Sequence, residues 1–352
     1  MTESFNWTGV MPATLCPFRD DYSIDEEGLR AYARYLASVP GITALVCNGH
    51  TGEVMSLRNR ERALVTRLFA DEVGDKVKIV SGVCAEGSDE AIDQALAAKE
   101  AGADAILLMP PHHWLRFGRT TQTALGFFED VAAGADIDII VHQYPAWTKA
   151  SYSLAEMLEL VKMPRVVCIK MGTRDMARWG YDYRRLKAAA PRVSIVSCHD
   201  EYLLATLLDV CDGALVGFAG FVPELIVELV RTALAGDLKG AYAAQEKIRP
   251  LAQIVYRFGE PSSDAHQRMK CAMTLMGKFP SMQMRRPLRP LSDRDVARIR
   301  RELARGRVVV RPGGGIRGGD RSVYWVFVFV VGVGGGVGGC GGGAGPGAGG
   351  VN

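Results

Sequence analysis

Between residues 9 and 236 the chain repeats one pattern eight times: a short apolar run, then a longer amphipathic stretch. The runs are Val10–Phe18, Ile42–Cys47, Val77–Gly82, Ala105–Met109, Ile137–His142, Val166–Lys170, Val193–Ser197 and Ala214–Val216. Runs this short and this apolar predict strands buried on both faces. The stretches between them carry apolar residues at helical spacing: Ile24–Leu36, Asn59–Glu72, Ser88–Ala101, Arg119–Ala133, Ser153–Val161, Met176–Ala190, Glu201–Val210 and Pro223–Ala235. Serine or aspartate opens several of them and glycine closes several, as helix-end chemistry requires. Eight strand–helix units predict an α/β fold, a (β/α)8 TIM barrel. A doubly wound sheet is the alternative. It usually has fewer units and a glycine-rich phosphate turn after its first strand, where this chain has Arg19-Asp20-Asp21.

After residue 236 the pattern becomes helical only, over Leu238–Phe258, Ser262–Met276 and Ser292–Arg305. The expected organisation is a barrel over 1–236, a C-terminal helical region over 237–306 and a low-complexity segment over 307–352. That last segment holds nearly half of the 40 glycines. Glycine runs do not repay their ordering entropy, so it reads as disordered. Its apolar stretch Val323–Val331 falls short of the ~20 residues a membrane span needs.

Composition narrows the function classes. A net charge of +3 on 352 residues gives no electrostatic footprint for nucleic acid or a membrane surface. The N-terminus MTESFNWTGV has no apolar core of a secretory signal. The eight cysteines form no CxxC pair and sit mostly in apolar runs. They read as reduced thiols in a cytoplasmic protein.

In a (β/α)8 barrel, chemistry gathers at the C-terminal ends of the strands. The polar residues there are Asn48, His50, Thr51 and Glu53 after the second strand, and His112 and His113 after the fourth. His142, Gln143 and Tyr144 end the fifth, Lys170 ends the sixth, and Cys198, His199 and Asp200 follow the seventh. Five of the six histidines fall in this set.

Lys170 ends the apolar run Val166–Lys170 within RVVCIKMGT (165–173). Side chains alternate along a strand, so Val166, Cys168 and Lys170 are expected on one face. If that face is the interior, burial lowers the lysine pKa and frees a neutral amine to attack a ketone. The alternative is a lysine that snorkels out of the strand end. His142 and Tyr144, one strand away, are either proton carriers or a satisfied core histidine and a rim aromatic. The turn Cys47-Asn48-Gly49-His50-Thr51-Gly52-Glu53 brackets a hydroxyl with two glycines, a weak signal for an anion pocket. The histidines lack the paired carboxylate or i, i+4 spacing that would complete a metal set, so no metal is expected.

Five segments then fall into one order: GHTGE (49–53), LLMPPHH (107–113), HQYPAWT (142–148), VVCIKMGT (166–173) and GALVGFAGFVPEL (213–225). With the ending KCAMTLMGKFPSMQMRRPLRPLSD (270–293), the chain resembles the dihydrodipicolinate synthase / N-acetylneuraminate lyase family over about residues 7–306. The resemblance implies a (β/α)8 barrel with C-terminal helices, commonly a homotetramer, working without a separate cofactor. It implies that Lys170 forms a Schiff base with a 2-oxo acid, pyruvate or a compound that releases it. It places the acid's carboxylate on the GHTGE loop, with Thr51 and Gly52, and brings Gly217 of the eighth strand to the substrate.

Five positions depart from the family pattern. His142 stands where the family's proton-shuttling tyrosine stands, with Tyr144 two residues on. His50 replaces the first loop hydroxyl. Trp147 replaces the arginine that binds the second carboxylate in the synthase branch. Pro111 and His112 replace an aromatic pair. Losing the arginine removes a bidentate carboxylate fork. The expected activity is therefore a Schiff-base lyase or aldolase other than the standard synthase. Lys170 is its nucleophile, and His142 or Tyr144 carries protons. His50, His112 and Trp147 face the variable half of the substrate. A sugar-acid dehydratase using the same lysine, and a non-catalytic keto-acid binder, are the alternatives. The partners expected are a small 2-oxo acid and further copies of the chain, as a tetramer or dimer, with neither nucleic acid nor membrane.

Overall fold

A computed structural model describes residues 5–145, 148–256 and 264–305. Eight parallel strands alternate with helices in a barrel, followed by C-terminal helices. The strands are β1 (Gly9–Pro12), β2 (Ala44–Cys47), β3 (Lys78–Val83), β4 (Ala105–Leu108), β5 (Asp138–Gln143), β6 (Val166–Met171), β7 (Ser194–Ser197) and β8 (Gly213–Val216). They pair in the order β1-β8-β7-β6-β5-β4-β3-β2. The bridges Val10–Ile42 and Ala13–Val46 join the first strand to the second and close the ring. The first strand is shorter than its apolar run, ending at Pro12, and beyond it Ala13 and Thr14 still donate to the Val216 and Val46 carbonyls at 3.0 and 2.9 Å.

The outer helices are α1 (Glu26–Ala37), α2 (Asn59–Val73), α3 (Ser88–Glu100), α4 (His113–Phe117), α5 (Thr121–Ala135), α6 (Leu154–Leu160), α7 (Met176–Ala189), α8 (Leu203–Asp209), α9 (Gly217–Phe221) and α10 (Pro223–Leu234). Their starts follow the expected chemistry. The Ser153 side chain accepts from Glu156 N and the Glu156 carboxylate accepts from Ser153 N, a reciprocal cap. Asp175 accepts from two N–H groups of the first turn of α7. The short helices α4 and α9 are too brief to show a helical period in the sequence. The appendage is α11 (Leu238–Tyr256), α12 (Ala265–Leu275) and α13 (Asp293–Arg305).

Large residues fill the space between strands and helices, whereas the interior stack is made of smaller ones: Ala13, Ala44, Val46, Val80, Ala105, Leu107, Ile140, Cys168, Val196 and Leu215. Trp7 closes that stack at the N-terminal end. The interior is thus packed, and only the C-terminal mouth is left for chemistry.

The alternation expected along β6 is broken. The pairing register with β5 shifts between Ile139 and Ile140, opposite Val166 and Cys168. Val166 consequently packs outward with the helices, Val167 leans on the interior stack, and Cys168 points inward. Val166 does not share a face with Cys168 and Lys170. The extra residue restores the phase that aims Lys170 into the mouth.

Candidate active site

Lys170 pairs directly with His142 across β5 and β6. Its amine is half-buried in the mouth and, among the described residues, has no hydrogen bond or ion pair. Burial lowers its pKa from the ordinary lysine value, against the raising influence of Cys198 and Asp200. The strand end is shaped for it by Gly172, whose N–H donates to the Gln143 carbonyl at 2.9 Å. A Cβ there would lie 2.4 Å from that oxygen, so only glycine lets β6 pass this close. The Gln143 side chain turns outward and pins the Tyr152 backbone with two hydrogen bonds of 2.7 and 2.8 Å.

The histidines beside the amine are held neutral. Burial, then the charge of Lys170, pushes His142 well below its ordinary value. The same two causes push His50 down to about 3. Burial lowers His112 as well, against the charge of Glu86. His142 Nδ1 is buried without a partner among the described residues.

Tyr144 lies edge-on to His142, with ring centroids 4.8 Å apart. Its hydroxyl lies 3.0 Å from His50 Nε2 and 3.1 Å from His112 Nε2. A hydroxyl has one proton to give, so it donates to one imidazole and accepts from the other. His112 Nδ1 lies 3.6 Å from the Cys84 thiol, which burial pushes up to about 11. Two proton orders satisfy these contacts, Cys84 to His112 to Tyr144 to His50 or the reverse, and the reverse leaves the Cys84 thiol to donate to Met55 Sδ at 3.4 Å. Tyr144 is thereby committed to the two histidines, and burial keeps its hydroxyl from ionising.

On the other side, the Gly49–Glu53 loop turns its inner surface to the mouth. Among the described residues the Thr51 hydroxyl and N–H have no hydrogen-bond partner. A Cβ on Gly217 would lie 3.4 Å from both Thr51 Oγ1 and Asp200 Oδ2, so this glycine keeps open the space between β8 and the loop. Gly52 packs its backbone under Thr14: a Cβ there would meet the Thr14 carbonyl at 3.1 Å. Asp200 accepts from Phe218 N at 2.7 Å and from the Tyr256 hydroxyl. Burial pushes its carboxyl up to about 6.

The structure therefore brings together Lys170, His142, Tyr144, His50, Thr51, Gly52, His112 and Gly217. Trp147 lies outside the described residues, as does the 307–352 segment. Two histidines of the sequence set are elsewhere. His113 is exposed and paired with Glu86, its Nδ1 2.7 Å from Oε2. His199 points outward from β7, between Trp179 and Tyr202. Inward and outward positions alternate after Val196, so Cys198 faces the amine and His199 does not. Asn48 also turns away, its amide within reach of the Arg62 carbonyl, Thr66 and Ser81. The sequence reading missed His266 of α12. It is buried to the point that its pKa falls to about 4, and the Lys170 charge contributes. Nothing at a strand end announces it, because it arrives from the C-terminal appendage.

Chemically, the mouth offers an unpaired amine, a neutral imidazole beside it and a free hydroxyl with a free N–H. That set suits a carbonyl compound carrying a carboxylate. Comparison with known proteins adds an independent line. The sequence profile of the Dihydrodipicolinate synthetase family matches residues 6–305. The 4-hydroxy-tetrahydrodipicolinate synthase of Nitrosospira multiformis is 31% identical over 288 residues, covering 81% of this chain and 91% of that protein. A protein of Thermofilum pendens described as an uncharacterized DapA-like lyase is 28% identical, covering 85% of this chain and 98% of its own length. Among solved structures, YagE, a prophage protein from E. coli K12 in complex with pyruvate, superposes with a TM-score of 0.78 at 25% identity, covering 86% of this chain and 99% of that one. The dihydrodipicolinate synthase from Aquifex aeolicus superposes with a TM-score of 0.78 at 24% identity, covering 87% of this chain and 100% of that one, and shows the shared fold.

Proposed function

Because the chain belongs to the dihydrodipicolinate synthetase family, we propose that it is a Schiff-base-forming lyase or aldolase acting on a 2-oxo acid of the pyruvate type, by a reaction other than the standard synthase. The observation that carries this reading is the Lys170 amine, set in the barrel mouth with no acid to hold its proton and its pKa lowered by burial.

The neutral Nζ attacks the ketone carbon. The nitrogen–carbon bond forms, two protons pass to the oxygen, and it leaves as water. The resulting imine takes up one proton, and the iminium so formed draws electrons from the adjacent carbon. Either a carbon–carbon bond breaks to give an enamine, or a proton leaves and the enamine expels a hydroxyl further along. His142 is the proton carrier, being the neutral base next to the amine. Tyr144 holds His50 and His112 in place. Thr51 and its N–H receive the carboxylate, and Gly217 leaves the room for it. His50 and His112 face the variable half of the substrate with neutral imidazoles, which favours an uncharged tail. No separate cofactor is required.

The Tyr144–His50–His112 chain also favours a second reading, a hydro-lyase of the sugar-acid dehydratase type, since a neutral hydrogen-bonded chain suits protonation of a departing hydroxyl. A screen of 2-oxo acids separates the possibilities. Pyruvate release supports carbon–carbon cleavage, and loss of water without pyruvate supports dehydration. Binding without any turnover supports the non-catalytic relative and overturns the enzyme. A homo-oligomer, tetramer or dimer, in the cytoplasm completes the reading, and light scattering tests the assembly. Among the described residues no helix is long and apolar enough to cross a membrane.

A further inference from the structure

We propose that Glu53 and Lys270 are positioning residues, a buried brace through which the C-terminal helical region holds the Gly49–Glu53 loop in its carboxylate-binding shape. The inference rests on the reading that this loop receives the 2-oxo acid. Glu53 ends the loop with a φ of 59°, a left-handed conformation a glutamate adopts only when its surroundings hold it there.

Those surroundings come from the far end of the chain. The Lys270 ammonium donates to Glu53 Oε1, and the Arg285 N–H donates to Oε2 at 3.0 Å. Lys270 also donates to the Gln283 carbonyl at 3.0 Å and lies 4.4 Å from the Phe18 ring centre. Neither side chain of the pair has meaningful contact with water, at 0% and 4% exposure. Beyond Glu53 the Arg285 guanidinium reaches the Ser56 carbonyl at 3.1 Å and the Tyr22 carbonyl at 3.0 Å. It grips Glu61 with two hydrogen bonds of 2.7 Å. The outer side of the loop is thus fixed by residues 270–285, while its inner side keeps Thr51 free.

The same helix reaches the Gly217 side of the site. His266 and Lys270 are i, i+4 neighbours and share a face of α12. Met269, between them, comes within 3.5 Å of where a Gly217 side chain would begin. One helix therefore meets both the Gly217 side of the site and the base of the loop. A brace that served stability alone would change the fraction of folded protein. A brace that positions the loop changes the affinity of the folded molecules.

The test compares wild type, Lys270→Met and the double variant Glu53→Gln/Lys270→Met, which removes both charges. Two readouts are taken: the pyruvate concentration that half-saturates borohydride-trapped adduct, and hydrogen exchange of peptides covering residues 49–53. The expected result for Lys270→Met is a half-saturating concentration raised on the order of tenfold, as a small misplacement of a binding group produces, with unchanged adduct at saturation and faster exchange in the loop. The double variant is expected to regain thermal stability but not affinity or protection. Wild-type half-saturation and wild-type exchange in the double variant would overturn the brace. A wild type that forms no adduct would overturn the functional reading instead, and the exchange arm would still decide whether the pair holds the loop.

Discussion

Lys170 stands half-buried in the barrel mouth and Lys270 fully buried beside the Gly49–Glu53 loop, and the two have opposite surroundings. Lys270 has a carboxylate, a carbonyl and an aromatic face. Lys170 has neither ion pair nor hydrogen bond among the described residues, and three histidine rings that its own charge helps keep neutral. Burial opposes the charged form of both. At Lys270 the Glu53 charge works against that pressure, so the amine is a structural cation. At Lys170 only the more distant Cys198 and Asp200 do so, and the amine is left as a nucleophile. The same residue type acquires two roles from what stands within hydrogen-bond reach, not from depth of burial.

The largest expected effect follows from that contrast. Lys170→Ala should abolish trapped adduct and turnover together while leaving the fold intact, whereas Lys270→Met should still yield adduct at high pyruvate. Intact-mass measurement after borohydride reduction reads both, and adduct retained in Lys170→Ala would break the contrast. His142→Asn comes next. Adduct should still form, but turnover should fall by about 10²–10⁴-fold, the usual worth of a positioned proton carrier. Unchanged turnover would transfer that role to Tyr144.

A third comparison concerns stability. Lys270→Met leaves a buried carboxylate unpaired, and chemical denaturation should show a loss of roughly 3–5 kcal/mol. Breaking the exposed Lys162–Glu159 pair should cost about 0–1 kcal/mol. Equal losses would mean that the Glu53–Lys270 site is wet.

The smallest effect is a pH dependence. His50, His199 and His266 have native values of about 3, 4 and 4, below the ordinary histidine value. The unfolded chain therefore takes up their protons first, and stability is lost as pH falls below about 6.5 and on toward 4. Asp200, raised to about 6, acts in the opposite sense, its contribution being lost as pH rises through that value. The three histidines outweigh it. Urea midpoints at pH 7, 5.5 and 4.5 should fall in that order, and a flat series would contradict the burial assigned to these rings.

The two lysines also differ in how far the sequence reveals them. Lys170 is legible because it interrupts an apolar run where a barrel strand ends, and the eightfold alternation fixes that strand's place. The bulge beside it is not legible. In a run such as VVCI every position is apolar, so the pattern does not say which side chains face inward. That is why alternation alone puts Val166 on the wrong face. His199 could have been separated from Cys198 and Asp200 by counting alternate positions from the strand. Lys270 and His266 lie on a helix whose periodicity predicts only burial, and the partner of Lys270 is 217 residues away. Pairings across that separation exist only after the appendage docks on the barrel.

The central claim is that the half-buried Lys170 amine, unpaired among the described residues, is the nucleophile. Wild-type protein incubated with pyruvate, reduced with borohydride, digested and mapped by mass spectrometry tests it directly. The account predicts a single reduced pyruvate adduct on the peptide carrying Lys170 and none on the peptide carrying Lys270. An adduct on another lysine, or no adduct at saturating pyruvate, would contradict it.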